Sequence, residues 1–177
     1  MVTKWDIEAD TKQLQAILNM SSLTMKKKIQ ALTGRLVALN QFISRSSNKL
    51  CPFFMALKGS FSKEWKEECE KAFATIKMYL TIPPILSQPV SCKELFMYLA
   101  ASSFSISAVL LKRQNGHQRP VYYIGKTLVE NKTRYMSLEK LVLALVMATK
   151  KLHPYFQAHI VNVLTDKPIR SMSSLDK

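Results

Sequence analysis

Acidic side chains are absent from residues 11 to 63, where nine cations stand unopposed: Lys12, Lys26, Lys27, Lys28, Arg35, Arg45, Lys49, Lys58 and Lys63. Cysteine is scarce: Cys51, Cys69 and Cys92 are odd in number, widely spaced and form no CxxC pair. That pattern signals neither a zinc site nor a disulfide framework, and it suits reduced thiols in an intracellular protein, cytoplasmic or nuclear. Only four glycines occur and they are isolated, so no GxGxxG or Walker loop exists; GxSxG and HExxH are absent too. No apolar run approaches the roughly 18 residues of a membrane-spanning helix. The first residues, MVTKWDIEAD, lack the apolar core of a secretory signal.

What is present is positive charge on a chain rich enough in apolar residues to fold. There are 26 Lys and Arg against 12 Asp and Glu, a formal charge of +14, with 47% hydrophobic residues. A block so one-sided repels itself unless something anionic lies against it, and a nucleic-acid backbone is the usual partner. The plainer alternative is a solvated basic face that serves solubility. Within the block, Lys26, Lys27, Lys28, Arg35, Arg45 and Lys49 are the candidate nucleic-acid contacts.

The order of elements is legible in part. Apolar residues at Ile29, Leu32, Leu36, Leu39 and Ile43 mark one helical stripe over about Thr24 to Ile43, with Ser22 or Thr24 as a cap. CPFFMAL (Cys51 to Leu57) is a short apolar segment. Ser62 opens a second helix, with Trp65, Cys69, Ala72, Ile76 and Leu80 in register. TIPPILSQPVS (Thr81 to Ser91) is a proline-rich connector and the candidate domain boundary. Beyond it, Glu94 to Ser102 and Ser105 to Leu111 read as strands. Asn115-Gly116 signals a tight turn, and Pro120 to Lys126 returns as a third strand. A helix over Leu138 to Leu152 stops at Pro154, and His159 to Asp166 is a fourth strand. The expected fold is mixed α+β or α/β: a small helical segment at 1–60, a helix and connector at 61–91, and a β-β-β-α-β sheet domain flanked by helices at 92–177.

The acids beyond the connector are Glu94, Glu130, Glu139, Asp166 and Asp176. Glu139 in the first turn of the long helix and Asp166 after the fourth strand can converge on a divalent metal, as in two-metal phosphodiester hydrolysis. Each also has an ordinary structural role, Glu at a helix start and Asp as a turn former. Two metals need three or four carboxylates. Glu94 lies at the far end of the first strand, about 20 Å from Ala100; Glu130 and Asp176 lie in a loop and a tail. His117, His153 and His159 are scattered. Tyr98, Tyr122 and Tyr123 could stack on bases but stand at strand spacing, where core packing is commoner.

KIQALTGRLVALNQFISRSSNKLCPFF (Lys28 to Phe54) resembles the thumb segment of reverse transcriptases from gypsy-type LTR retrotransposons, especially those of plants. FSKEWKEECEKAFATIKMYLTIPPILSQP (Phe61 to Pro89) is similar to the connector that follows in those polyproteins. Leu95 to Leu128 and Thr133 to Arg170 are similar to their RNase H-like domain. MVTKWDIEAD resembles the palm-to-thumb junction, with Asp6 where Gly is usual. The resemblance implies a helical thumb followed by a mixed five-stranded sheet. It implies that the polymerase aspartates lie upstream, since no YxDD-like motif is present, so polymerase activity is not expected.

For the nuclease the resemblance implies four acids. The first falls where this sequence reads Leu99-Ala100-Ala101-Ser102, so alanine stands at the acid position. The second and third match Glu139 and Asp166, and the fourth lies past Lys177, so the domain is expected to be C-terminally truncated. Mg²⁺ is the family's metal; with Ala100 in place of the bridging carboxylate, Glu139 and Asp166 are expected to hold it weakly if at all. The expectation is a catalytically degenerate module that binds RNA–DNA hybrid or duplex. The alternative is a metal-dependent hybrid ribonuclease acting within a larger polyprotein. Expected protein partners are the polymerase palm or a downstream RNase H domain, and no membrane is involved.

Overall fold

A computed structural model describes residues 6–23, 25–59, 63–82, 85–90, 93–165, 167 and 169, without the side chains of 63–66 and 130. A two-residue strand β1 (Asp6–Ile7) leads into helices α1 (Thr11–Leu18) and α2 (Lys26–Ala38), a 3-10 turn at Asn40–Phe42, and helices α3 (Ser46–Lys58) and α4 (Lys63–Thr81). A second two-residue strand, β2 (Leu86–Ser87), pairs antiparallel with β1. Then come β3 (Leu95–Ala101), β4 (Ser105–Gln114), β5 (His117–Thr127), α5 (Glu130–Thr133), α6 (Ser137–Lys151), α7 (His153–Ala158) and β6 (Val161–Leu164). The larger sheet runs β5-β4-β3-β6, antiparallel except for the β3–β6 pair. The mixed β-β-β-α-β order read from the sequence is therefore present. The described residues supply four strands to this sheet, where the family resemblance implies five.

The expected helical stripe is real but shorter than the sequence suggests. Ile29, Leu32 and Leu36 are buried on α2, whereas Leu39, Phe42 and Ile43 are buried from the turn that follows. The helix starts after Met25 with no side-chain cap; Ser22 instead donates its hydroxyl to the Glu70 carboxylate, and Thr24 and Ser62 lie outside the described residues. The larger departure is at Cys51–Leu57, which lies inside α3 although Pro52 occupies a middle turn. Proline removes one helical hydrogen bond there and crowds the preceding turn. Tertiary packing outweighs that cost: Leu50, Phe53 and Ala56, three apart, are 3%, 0% and 0% exposed.

Apolar burial falls into two clusters. One joins α1 to α4 and β2, from Ala9 to Leu86; the other joins β3, β4, β5 and α6. In β3 the alternation Leu95, Met97, Leu99 turns inward, as a half-covered strand requires. Asn115 and Gly116 both take left-handed backbone (φ 51° and 77°), the geometry of a type I′ hairpin turn. Pro120 is tolerated because β5 is an edge strand, and the register slips beside it, between Leu110 and Leu111 of β4.

β5 also joins the two clusters. Tyr123 packs on the helical side, and Gly125 lies against the first turn of α3. A Cβ at 125 would meet the Ser46 hydroxyl and sit 2.8 Å from Ser47 Oγ and 3.2 Å from Ser47 N. Gly125→Ala is therefore expected to cost about 1–3 kcal/mol of stability through overpacking. Urea denaturation checks it, and an unchanged midpoint would mean that α3 yields freely.

Candidate acidic site and basic face

Because β3 and β6 run parallel, with Leu95 opposite Val161 and Tyr98 opposite Leu164, their carboxyl ends emerge at one edge of the sheet. Crevices beyond the carboxyl ends of such strands are where open α/β sheets bind ligands. Two concavities lie there. One, about 230 Å³, is lined by Leu99, Ala100, Ala101, Ser137 and Leu141, between the end of β3 and the start of α6. The other, about 540 Å³, is lined by Tyr98, Leu99, Leu164 and Thr165.

Ala100 is exposed in the first concavity, pairs with Ser107 of β4 and offers a methyl group there. Glu139 is in the first turn of α6, as expected, and its Oε2 accepts the Met136 N–H at 2.8 Å. The carboxylate thus satisfies one of the donors a helix start leaves open. Asp166 lies outside the described residues. Glu94 is at the opposite end of β3, where it accepts from Asn162 Nδ2 at 3.1 Å. Among the described residues no three His, Cys, Asp or Glu side chains converge as a metal would require. Those residues do not fit a two-metal clamp: one carboxylate is near, and it is bound to its own helix. Glu139→Ala is expected to lower stability by roughly 0.3–1.5 kcal/mol, and Glu139→Gln by less, because the amide oxygen still accepts; equilibrium denaturation separates the two.

Lys140, beside Glu139, has a structural role of its own. It is 6% exposed and donates to the Ser103 carbonyl at 3.0 Å, fastening the β3–β4 turn to α6. Its signal is in the sequence: Lys140 shares the four-residue spacing of Ala144 and Ala148, both buried, so it points inward. Lys112, also 6% exposed, donates to the Gln88 carbonyl at 2.9 Å and ties β4 to the connector. The histidines stay apart: His159 Nδ1 lies 3.1 Å from the Lys93 carbonyl, at the end of the sheet remote from Ala100. Burial, and then Glu68 and Glu70, push the Cys69 thiol up, away from nucleophilic use. Tyr98 is 38% exposed and its hydroxyl accepts from Gln118 Nε2 at 2.9 Å, while Tyr122 and Tyr123 are half-buried on opposite sides of β5.

Of the six basic candidates, Lys26, Lys27, Lys28 and Arg35 lie on α2, with Arg35 about 12 Å along the axis from Lys27, while Arg45 and Lys49 lie at the start of α3. Lys26, Lys27 and Lys28 fill the first turn, at the positive end of the helix dipole and with no acid to relieve them. Lys28 donates to Ser21 Oγ and the Ser22 carbonyl; among the described residues Lys26 and Lys27 have no partner. Arg45 is exposed, in left-handed backbone at the start of α3. Lys49 Nζ instead sits 3.5 Å from the centre of the Tyr79 ring, and burial, then Arg45, lowers its pKa. Arg35 donates to the Ala16 carbonyl at 2.8 Å and holds α2 to α1. Charge alone does not separate those that tie the fold together from those that face solvent.

Residues 65–163 match the family described as the RNase H-like domain found in reverse transcriptase. The chain is 31% identical over 133 residues to the retrovirus-related Pol polyprotein from transposon 412 of Drosophila melanogaster, covering 75% of this chain and 10% of that protein. It is 29% identical over 177 residues to the corresponding polyprotein from Drosophila transposon 297, covering 99% of this chain and 16% of that one. The chain thus spans a small part of these relatives. Among solved structures, the foamy viral protease-reverse transcriptase in complex with dsDNA superposes with a TM-score of 0.76 at 18% identity, over 96% of this chain and 36% of that one. The same viral protein in complex with RNA/DNA hybrid gives 0.72 at 18% identity, over 94% and 23%. At these identities the structures establish the shared fold. Among the described residues no helix is long and apolar enough to cross a membrane.

Proposed function

Because the chain belongs to the family of RNase H-like domains found in reverse transcriptases, within a retroelement Pol polyprotein, we propose that it is a nucleic-acid-binding module whose hydrolytic site is degenerate. The observation that carries this reading is Ala100, a methyl group in the concavity between β3 and the Glu139-bearing start of α6. The formal charge of +14, and Lys26 and Lys27 at the start of α2, which have no side-chain partner among the described residues, support a polyanionic partner. The complexes of the viral relative with dsDNA and with RNA/DNA hybrid make duplex or hybrid the partner to test.

In this reading residues 1–60 are a thumb-like segment, 61–91 a connecting helix and linker, and 92–177 the RNase H-like domain, in an element of the gypsy type. The likeness of Lys28 to Phe54 to plant elements supports an origin in one of those. Lys26, Lys27 and Arg45 make the direct phosphate contacts, while Lys28, Arg35 and Lys49 hold the surface that presents them. Glu139 and Asp166 are vestiges of the acidic set, and Mg²⁺, the family's metal, finds no bridging ligand at Ala100.

The test is a labelled RNA–DNA hybrid incubated with the chain and Mg²⁺ or Mn²⁺. Binding without cleavage is expected for the wild type. Metal-dependent cleavage that disappears in Glu139→Gln would overturn the reading and favour a ribonuclease that draws a further carboxylate from elsewhere. Ala100→Asp run alongside reports whether the alanine alone accounts for inactivity.

A further inference from the structure

Helix α6 is apolar almost all the way round. The nine residues from Leu141 to Thr149 carry no charge. Leu141, Ala144 and Ala148 are buried on the side that packs against β3 and β4. A helix of this composition normally has cover on every side. Here Val146 is 43% exposed, and Val142 and Leu143 are only half-buried. At about 100° per residue, Val142 and Val146 point away from the buried side. Single exposed apolar side chains are ordinary, but adjacent ones on an uncharged helical face mark an interaction surface.

Charge enters that face only at its ends. Glu139 lies one turn before Val142 and Lys150 one turn after Val146, the four residues being three, four and four apart. Lys140 points into the fold, and Lys151 stands over the Tyr122 ring. The outward stripe therefore reads acid, valine, valine, base over about 16 Å. Inverted, such a stripe is complementary to itself. Two copies laid antiparallel bring Glu139 of each to Lys150 of the other, and Val146 of each to Leu143 of the other. The opposite ends of the two helix dipoles then also adjoin. We propose that α6 is the surface by which two copies of this chain associate, antiparallel about a twofold axis at the level of Ala144 and Leu145. Closed pairing of one patch with itself is the commonest form of self-association. Net charge narrows the choice of surface: a copy carrying +14 is repelled by most of its twin, whereas this stripe balances its own charges. A single helix pair covers less than the roughly 1,200–2,000 Å² of a standard interface, so the dimer is weak and reversible.

Sedimentation equilibrium of the full chain at physiological salt, from micromolar to near-millimolar concentration, is expected to show a reversible monomer–dimer equilibrium. Val146→Asp, at a position open to solvent in the monomer, should weaken association by about tenfold or more, because it puts a charge at the centre of the contact. Lys150→Glu should weaken it by roughly threefold to tenfold, since like charges then meet at both ends. Exchanging the ends in Glu139→Lys/Lys150→Glu should restore it to within about threefold of the wild type. That exchange also removes the acceptor of the Met136 N–H, a local cost common to monomer and dimer. Circular dichroism verifies that each variant keeps its helices. A wild type that stays monomeric at every concentration would overturn the proposal. So would a dimer that Val146→Asp leaves intact, which would place the contact elsewhere, as at the open edge of β6. An exchanged variant no better than Lys150→Glu would overturn it too, since antiparallel helices require the rescue.

Discussion

Replacing Phe53 by alanine is expected to lower the stability of the chain by about 3–5 kcal/mol, the range for a fully buried phenylalanine. Phe53 is 0% exposed and lies in the middle of α3, where the helices pack on one another. That cost is large against the whole, and one feature of α3 places it at the upper end. Domains of ordinary size are stable by only about 5–15 kcal/mol in total. The residue before Phe53 is Pro52, so the backbone of α3 already lacks one hydrogen bond and depends on its side chains to stay helical. Val37→Ala, on an exposed position of α2, is the control and should change little. Urea denaturation followed by circular dichroism measures both; a loss below about 1 kcal/mol for Phe53→Ala would mean that the helical cluster collapses to fill the space.

The second large effect concerns binding. Affinity for an RNA–DNA hybrid or duplex should fall steeply with salt, because each phosphate contact releases counterions. In Lys26→Gln/Lys27→Gln the slope of log affinity against log salt should become shallower by about two, close to one for each phosphate contact removed. Lys49→Gln should leave that slope almost unchanged and lower stability instead, since Lys49 spends its charge on the Tyr79 ring. Fluorescence anisotropy at several salt concentrations distinguishes these outcomes. Equal slopes for the wild type and the double variant would remove α2 from the interface.

The sheet was the most legible part of the sequence, for a physical reason. The apolar run of β3, the Asn115-Gly116 turn and the helical period of α6 are local signals, and each element forms where its own residues specify it. Where propensity and packing disagree, local reading fails. Pro52 argues against a helix, yet α3 runs through it because Leu50, Phe53 and Ala56 all find cover. Pro154 does mark the end of the long helix, but it also falls in the first turn of α7, where a missing N–H costs nothing. The β1–β2 pair joins Asp6 to Ser87 and leaves no periodic trace in two-residue strands.

The candidate site divides along the same line. The position of Glu139 at the head of α6 was readable from helix-start chemistry. Its hydrogen bond to Met136, and the commitment of Arg35 and Lys49 to internal partners, depend on contacts that charge counting does not resolve. The close approach of α3 to β5 was invisible for a similar reason: Gly125 reads as an ordinary strand residue until Ser47 is brought against it.

The parallel pairing of β3 with β6 sets an order of events during synthesis. β4 and β5 follow β3 at once and can zip onto it as a hairpin meander, but Val161 emerges long after its partner Leu95. Until then one flank of the sheet's central strand has open backbone groups, while the helical cluster, built mostly from near neighbours in sequence, is free to form first. Non-local pairing of this kind is slow. The nascent chain is therefore expected to pass through a stage with folded helices and an unfinished sheet, whose bare flank is open to pairing with a strand from another chain.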